Sequence, residues 1–296
     1  MSIQVESLTK TFPGGAVALN DLSLSVDKGE TVAIIGPSGA GKTTLFRALT
    51  RSIHIDKGAI ALNGLDLYSL PYARLKKVRG TIGVIYQQHN LVRELSVATN
   101  VVAGLLGRLS TPAVLRLLLF GPTPFSYQKA AMYLDEVGIQ NKLRMRAGNL
   151  SGGEQQRVAV ARLLMQDPDI ILADEPIASV DPISAERIMD ALIAMAAMRG
   201  KTLICNIHNI DIARRYFTRV IAMRRGQLVF DGSPREFSAE LLASIYEGNE
   251  DDMLKGWYVN DHGKSAASIN SAREPSMEQD NDRHSCVRKE RGGPCG

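Results

Sequence analysis

Gly36-Pro37-Ser38-Gly39-Ala40-Gly41-Lys42-Thr43-Thr44 fits G-x-x-x-x-G-K-[ST], the pattern of a phosphate-binding loop. The pattern carries weight only between a strand and a helix, and both flanks are present. Residues 31–35, Thr-Val-Ala-Ile-Ile, are short, apolar and largely β-branched, which reads as a strand. Leu45, Phe46, Ala48 and Leu49 then recur at helical spacing. The glycines let the backbone close around phosphates with no Cβ in the way. The loop N–H groups and the helix N-terminus offer partial positive charge to an anion. In such a loop Lys42 reaches the β- and γ-phosphates of a nucleotide and the Thr43 hydroxyl is directed at Mg²⁺.

On the N-terminal side, Ile3 and Val5, then Leu22, Leu24 and Val26, alternate with polar residues, with Pro13-Gly14-Gly15 between them. This predicts a small antiparallel sheet with a turn at the glycines. On the C-terminal side, strands are expected over 60–63, 82–86, 169–173 and 201–207, and helices over 182–198 and 211–217. A closing hairpin is expected to turn at Arg225-Gly226. Strands alternating with helices imply a mainly parallel, three-layer α/β core. Between residues 88 and 149 the character changes: Leu, Ala and Gly repeat at helical spacing, with Pro112, Pro122 and Pro124 expected to break the run. Residues 126–137 read as a helix closed by Gly138. A mostly helical subdomain, about residues 88–165, is therefore expected as an insertion into the nucleotide-binding body. After Glu247, Gly, Ser, Asn, Asp, Glu and Arg dominate, and residues 248–296 read as a disordered tail.

Composition sets outer bounds. The 296 residues are 45% hydrophobic and 22% charged with a net charge of +4, an ordinary globular mix that does not argue for nucleic acid. Cys205, Cys286 and Cys295 lack metal-ligand spacing and suit a reducing compartment. No basic-then-apolar leader opens the sequence. The most apolar stretches, residues 101–109 and 113–120, are short and each holds an arginine, so membrane association is expected only through a partner.

A second strand ends in acids: Ile170-Ile171-Leu172-Ala173-Asp174-Glu175. Ligands of open α/β sheets bind at that carboxyl edge. One carboxylate can hold a metal and the next can polarise a water, which assigns Asp174 to Mg²⁺ and Glu175 to the attack on a γ-phosphate. Leu150-Ser151-Gly152-Gly153-Glu154 opens a further helix, in which Ser151 and Glu154 satisfy a capping box. Two readings fit it: a well-capped helix start, or bare Gly152 and Gly153 N–H groups that approach a phosphate.

Taken in order, these elements resemble the ATP-binding subunit of an ABC transporter, over about residues 3–247. Gly36 to Thr44 match the P-loop, Gln87 the glutamine after a strand, Leu150 to Glu154 the signature, Ile170 to Glu175 the acidic strand, and His208 the switch histidine. Ser179-Val180-Asp181 stand where the D-loop does, with Val in the usual Leu position. The resemblance implies an α/β fold, a P-loop NTPase core with an N-terminal antiparallel β subdomain and the inserted helical subdomain. It implies a homodimer sandwiching two ATPs with Mg²⁺, each between one P-loop and the partner's Ser151, Gly152 and Gly153. Gln87 would touch Mg²⁺ or the water, His208 the γ-phosphate, and Asp181 would cross the dimer interface. Phe12 falls where the family usually stacks a tyrosine on adenine; a phenyl ring there serves equally as core.

Residues 174–182, Asp-Glu-Pro-Ile-Ala-Ser-Val-Asp-Pro, together with 104–111 and 213–216, are similar to the phosphonate-import ATPases. That implies an ATPase powering import of phosphonates or phosphite from the cytoplasmic face of the inner membrane. The helical subdomain would dock on an integral membrane permease, and a periplasmic binding protein would choose the substrate. The alternatives are a soluble cassette of a carbon–phosphorus lyase complex, or an importer of another solute.

Overall fold

The computed structural model describes residues 1–86, 90–178 and 180–247. The tail expected to be disordered lies outside the described residues. The chain opens with β1 (Ile3–Thr11) and β2 (Val17–Val26), followed by β3 (Thr31–Ile35) and α1 (Lys42–Leu49) on either side of the P-loop. Next come β4 (Lys57–Leu62), β5 (Leu65–Asp66), α2 (Tyr72–Gly80) and β6 (Ile82–Ile85). A helical stretch holds α3 (Val97–Val102), α4 (Thr111–Phe120), α5 (Pro124–Glu136) and α6 (Gly152–Gln166). The chain then alternates through β7 (Ile170–Asp174), α7 (Pro182–Arg199), β8 (Thr202–Asn206) and α8 (Ile210–Tyr216), and ends in β9 (Arg219–Arg224), β10 (Gln227–Gly232) and α9 (Ala239–Tyr246).

Two sheets result. The first is antiparallel, in the order β2-β1-β4-β5. The second has the order β10-β9-β3-β8-β7-β6, parallel throughout except for the β9–β10 hairpin. From β3 the chain crosses to the outer β6, returns through β7 and β8, and then passes to β9 on the other flank of β3. This places the turns after β3, β7 and β8 along one carboxyl edge, where open α/β sheets bind ligands.

Alternation along each buried strand divides the core in two. Ala33, Ile35, Ile171, Ala173, Leu203 and Cys205 pack with α3, α5, α6 and α7. Val32, Ile34, Ile170, Leu172 and Ile204 face the other way, against α1 and the antiparallel sheet. The period of two therefore builds three layers from strands with no polar face.

The helical stretch corrects one expectation. Pro112 and Pro124 start helices rather than break them: each lies in a first turn, where the missing N–H costs nothing. The Thr123 side chain caps α5 by accepting from Ser126 N at 3.1 Å, and Gly138, at φ 71°, closes it. Helix α4 buries only Leu117, while Leu115, Leu118, Leu119 and Phe120 stand more than half exposed, as does Phe125 at the start of α5.

Cys205 is fully buried in β8. Burial first, and the charge of neighbouring Asp174 second, push its thiol well above the ordinary range. Changing Cys286 and Cys295 to Ser leaves it the single thiol of the chain. At pH 8 the native variant should then resist a disulfide reagent that labels the denatured chain completely. Fast labelling of the native protein would mean that β8 is not the closed central strand described.

Candidate functional site

The P-loop runs between β3 and α1 and is shaped by glycine where the chain is crowded. At Gly36 (φ 146°) a Cβ would strike the Met223 carbonyl, and at Gly41 (φ 102°) it would strike that of Ala18. The turn of the β9–β10 hairpin supports the loop from behind: Gly226 N donates to Ala40 O at 3.0 Å, and Asn20 N donates to Gly226 O at 3.0 Å. No side chain caps α1, so the first-turn N–H groups of that helix are left for an anion. The buried Lys42 ammonium curls over the loop, donating to Gly36 O at 2.6 Å and Pro37 O at 3.0 Å. Thr43 is exposed and Thr44 half-buried at the mouth.

The loop forms one wall of a cavity of 810 Å³ whose other walls include Glu175, Asn206 and His208. Three of the predicted elements thus meet in one space: Ser38 to Thr44, the acid after β7 and the histidine after β8. His208 Nε2 lies 2.6 Å from Glu175 Oε1. Glu175 adopts a left-handed backbone, φ 52°, which costs a side-chain-bearing residue about 1–2 kcal/mol. Its N–H is held there by the Asn206 carbonyl at 3.2 Å. Asp174 stays behind this front, 6% exposed, and its Oδ1 accepts from Asn206 Nδ2 at 2.6 Å. Asn206 was not singled out by the sequence reading; its signal was an amide closing an otherwise apolar strand.

The remaining predicted residues fall elsewhere. Ser151 caps α6 in the anticipated capping box: its Oγ accepts from Glu154 N at 3.3 Å, and Glu154 Oε2 accepts from Ser151 N at 2.9 Å. That bond leads the causes holding the Glu154 carboxyl below the usual range. Ser151 and Gly152 are exposed, Gly152 has nothing within 4 Å of where a Cβ would stand, and none of Ser151, Gly152 and Gly153 lines the cavity. The same helix reaches the site through Gln156, whose buried Nε2 donates to Pro176 O at 2.6 Å, just past Glu175. Asp181 is exposed and caps α7, accepting from Ser184 N at 3.0 Å; its hydrogen bonds to Ser184 hold its carboxyl low. Phe12 is half-buried under the Lys10 ammonium, 5.7 Å from the ring centre, and belongs to neither hydrophobic cluster, so the core reading of this ring is not met. Gln87 and Ser179 lie outside the described residues.

A family profile described as ABC transporter matches residues 19–178. The chain is similar to a phosphonates import ATP-binding protein, PhnC, of Thiobacillus denitrificans, 41% identical over 253 residues that cover 85% of this chain and 95% of that protein. It is also 36% identical to a second PhnC protein of Halalkalibacterium halodurans, over 83% of this chain and all of that one. Among solved structures it resembles the dimeric cassette MJ0796, a bacterial ABC transporter cassette, with a TM-score of 0.71 and 30% identity over 79% of this chain and all of that one. The same cassette in a post-hydrolysis state bound to ADP and Pi gives a TM-score of 0.69. A profile match over more than half of the chain, together with these relatives, shows that the chain belongs to the ABC transporter family.

Proposed function

We propose that this chain is the ATP-hydrolysing subunit of an importer of phosphonates or phosphite. It works as a homodimer docked on a membrane permease at the cytoplasmic face, with a separate binding protein choosing the substrate. The observation that carries the reading is the single cavity that brings Lys42 and the P-loop opposite the Glu175–His208 pair. The substrate class is supported by the relatives named as phosphonates import proteins. The homodimer is supported by the exposed Ser151 and Gly152 and the half-buried Gly153, none of which lines the cavity of its own chain; they would close a partner's.

The chemistry follows from the side chains. Lys42 and the loop N–H groups bind the nucleotide phosphates. Glu175 acts as base toward the attacking water, and His208, bonded to it at 2.6 Å, fixes its carboxylate and meets the γ-phosphate. Phe12 stacks on adenine, Asp181 reaches across the dimer, and Gln87 links the site to the helical subdomain. Among the described residues no three His, Cys, Asp or Glu side chains converge on a metal. A Mg²⁺ carried in with nucleotide needs only one or two carboxylates beside phosphate and water. Asp174 and Thr43 fit that donor set, and the buried Asn206 Oδ1 without a partner beside Asp174 marks a place built for a hydrated ion. When bound, the cation neutralises the charge on the phosphates.

No helix among the described residues is long and apolar enough to cross a membrane. The exposed Leu115, Leu118, Leu119, Phe120 and Phe125 supply instead an apolar surface of the kind that marks an interaction site. It belongs to the helical subdomain and meets the permease. The same surface would serve a protein partner in a carbon–phosphorus lyase complex, so membrane recovery separates the two readings.

Replacing Glu175 by Gln should leave ATP binding intact and slow hydrolysis about 10²- to 10⁴-fold. In cells carrying that variant, uptake of labelled phosphonate should stop, with phosphite as competitor separating the two substrates. Uptake that persists while carbon–phosphorus cleavage fails would move the chain to the lyase complex. Leu118→Glu with Phe120→Glu should keep the ATPase activity of the isolated chain but abolish its co-purification with membranes. Unchanged membrane recovery would remove α4 from the docking surface.

A further inference from the structure

We propose that Asn206 is the positioning residue of the cation side of this site. Its amide N–H fixes the Asp174 carboxylate, and its Oδ1 accepts a hydrogen bond from a water in the shell of the nucleotide-bound Mg²⁺. The proposal deepens the ATPase reading above and rests on it.

The strand makes the amide conspicuous. Thr202 to Cys205 are buried, apolar or already bonded, and Asn206 is likewise 0% exposed. A buried amide is costly unless its groups are paired, and an apolar residue would complete β8 without that cost. In the parallel register Asn206 lies directly opposite Asp174. By the period of two along β7 and β8, both share the face of Ile170, Leu172 and Ile204, the face covered by α1. The orientation of the amide is forced. Asp174 Oδ1 is an acceptor at 2.6 Å, so Nδ2 faces it and Oδ1 faces away.

That oxygen is buried and has no partner, yet its residue lines the nucleotide cavity while Asp174 does not. The donor it lacks has to arrive from the cavity. Phosphate oxygens are acceptors and cannot supply one. Water can, and water beside a Mg²⁺ carboxylate ligand is held by the ion, which keeps several waters when it binds a protein. The backbone of the same residue sets the other acid, because its carbonyl accepts from Glu175 N at 3.2 Å. One residue thereby orients both carboxylates, and its side chain speaks only to the metal-side one.

The test is equilibrium binding of a fluorescent, non-hydrolysable β,γ-imido ATP analogue to the full chain, titrated with Mg²⁺ or held in EDTA. In Asn206→Ala the Mg²⁺ concentration for half-maximal enhancement of binding should rise about tenfold, as is usual when an outer-shell partner of a metal ligand is lost. Affinity in EDTA should stay that of wild type, and Asn206→Ser, which restores a hydroxyl, should fall between the two. If thermal melting finds Asn206→Ala unfolded, Asn206→Leu, which fills the space of the amide, takes its place with the same expectation. A Mg²⁺ midpoint equal to wild type, or an equal loss of affinity in EDTA, would overturn the assignment. Wild-type binding that ignores Mg²⁺ altogether would overturn the nucleotide–cation reading, and this proposal with it.

Discussion

The site depends on one constraint: β3, β7 and β8 run parallel in fixed register, so their last residues arrive together. Asp174 is paired with Asn206, and Ile34 of β3 with Asn206 as well. A slip of one residue in β7 would exchange the faces of Ala173 and Asp174. The carboxylate would then enter the apolar layer under α6, where burial without a partner is prohibitive. Packing of two differently filled faces thus places the chemistry, and no loop has to find Asp174's position independently. Glu175 departs from the pattern by taking a left-handed backbone, which turns the chain out of the sheet at the point where the second acid has to reach solvent-accessible space.

Around this register the supports are reciprocal. The β9–β10 turn holds the P-loop by its Ala40 carbonyl, and the close approach of Met223 and Ala18 leaves room only for glycine at 36 and 41. Gln156 binds α6, the helix capped by Ser151, to the turn that follows Glu175. Two segments that would serve different nucleotides in a dimer are therefore parts of one packed body. In the helical stretch between β6 and β7, Asn100 clasps the segment after β6, its amide bonding both the N–H and the carbonyl of Val92 at 2.9 Å.

The sequence was most legible where structure is local or strongly periodic. Strand β3, the P-loop, the capping box and the β9–β10 turn each carry their own signal in a few residues. Helix α2 escaped because it buries only Leu75 and shows no apolar stripe. Helix α4 was obscured because it is apolar on nearly every side and begins with a proline that reads as a breaker until its place in the first turn is known. Within the site, Lys42, Asp174, Glu175 and His208 were each visible as residue types in motifs. The contacts among them were not, because strands 32 residues apart in sequence set the Asp174–Asn206 pair. The role of Asn206 lies in that pairing, which no single stretch of sequence displays.

The lysine of the P-loop has a consequence for energetics. Its ammonium already holds two carbonyls of its own loop at 2.6 and 3.0 Å, so the curvature of the cradle is settled when the chain folds. In the proposed function, an arriving polyphosphate would therefore exchange with or share partners that are already in place. The net gain is a difference between two sets of charge-assisted bonds, while little further ordering entropy is lost. Such a group contributes more to discrimination, admitting only ligands whose charge outbids the peptide carbonyls, than to tightness of grip, and a nucleotide bound on those terms can also leave.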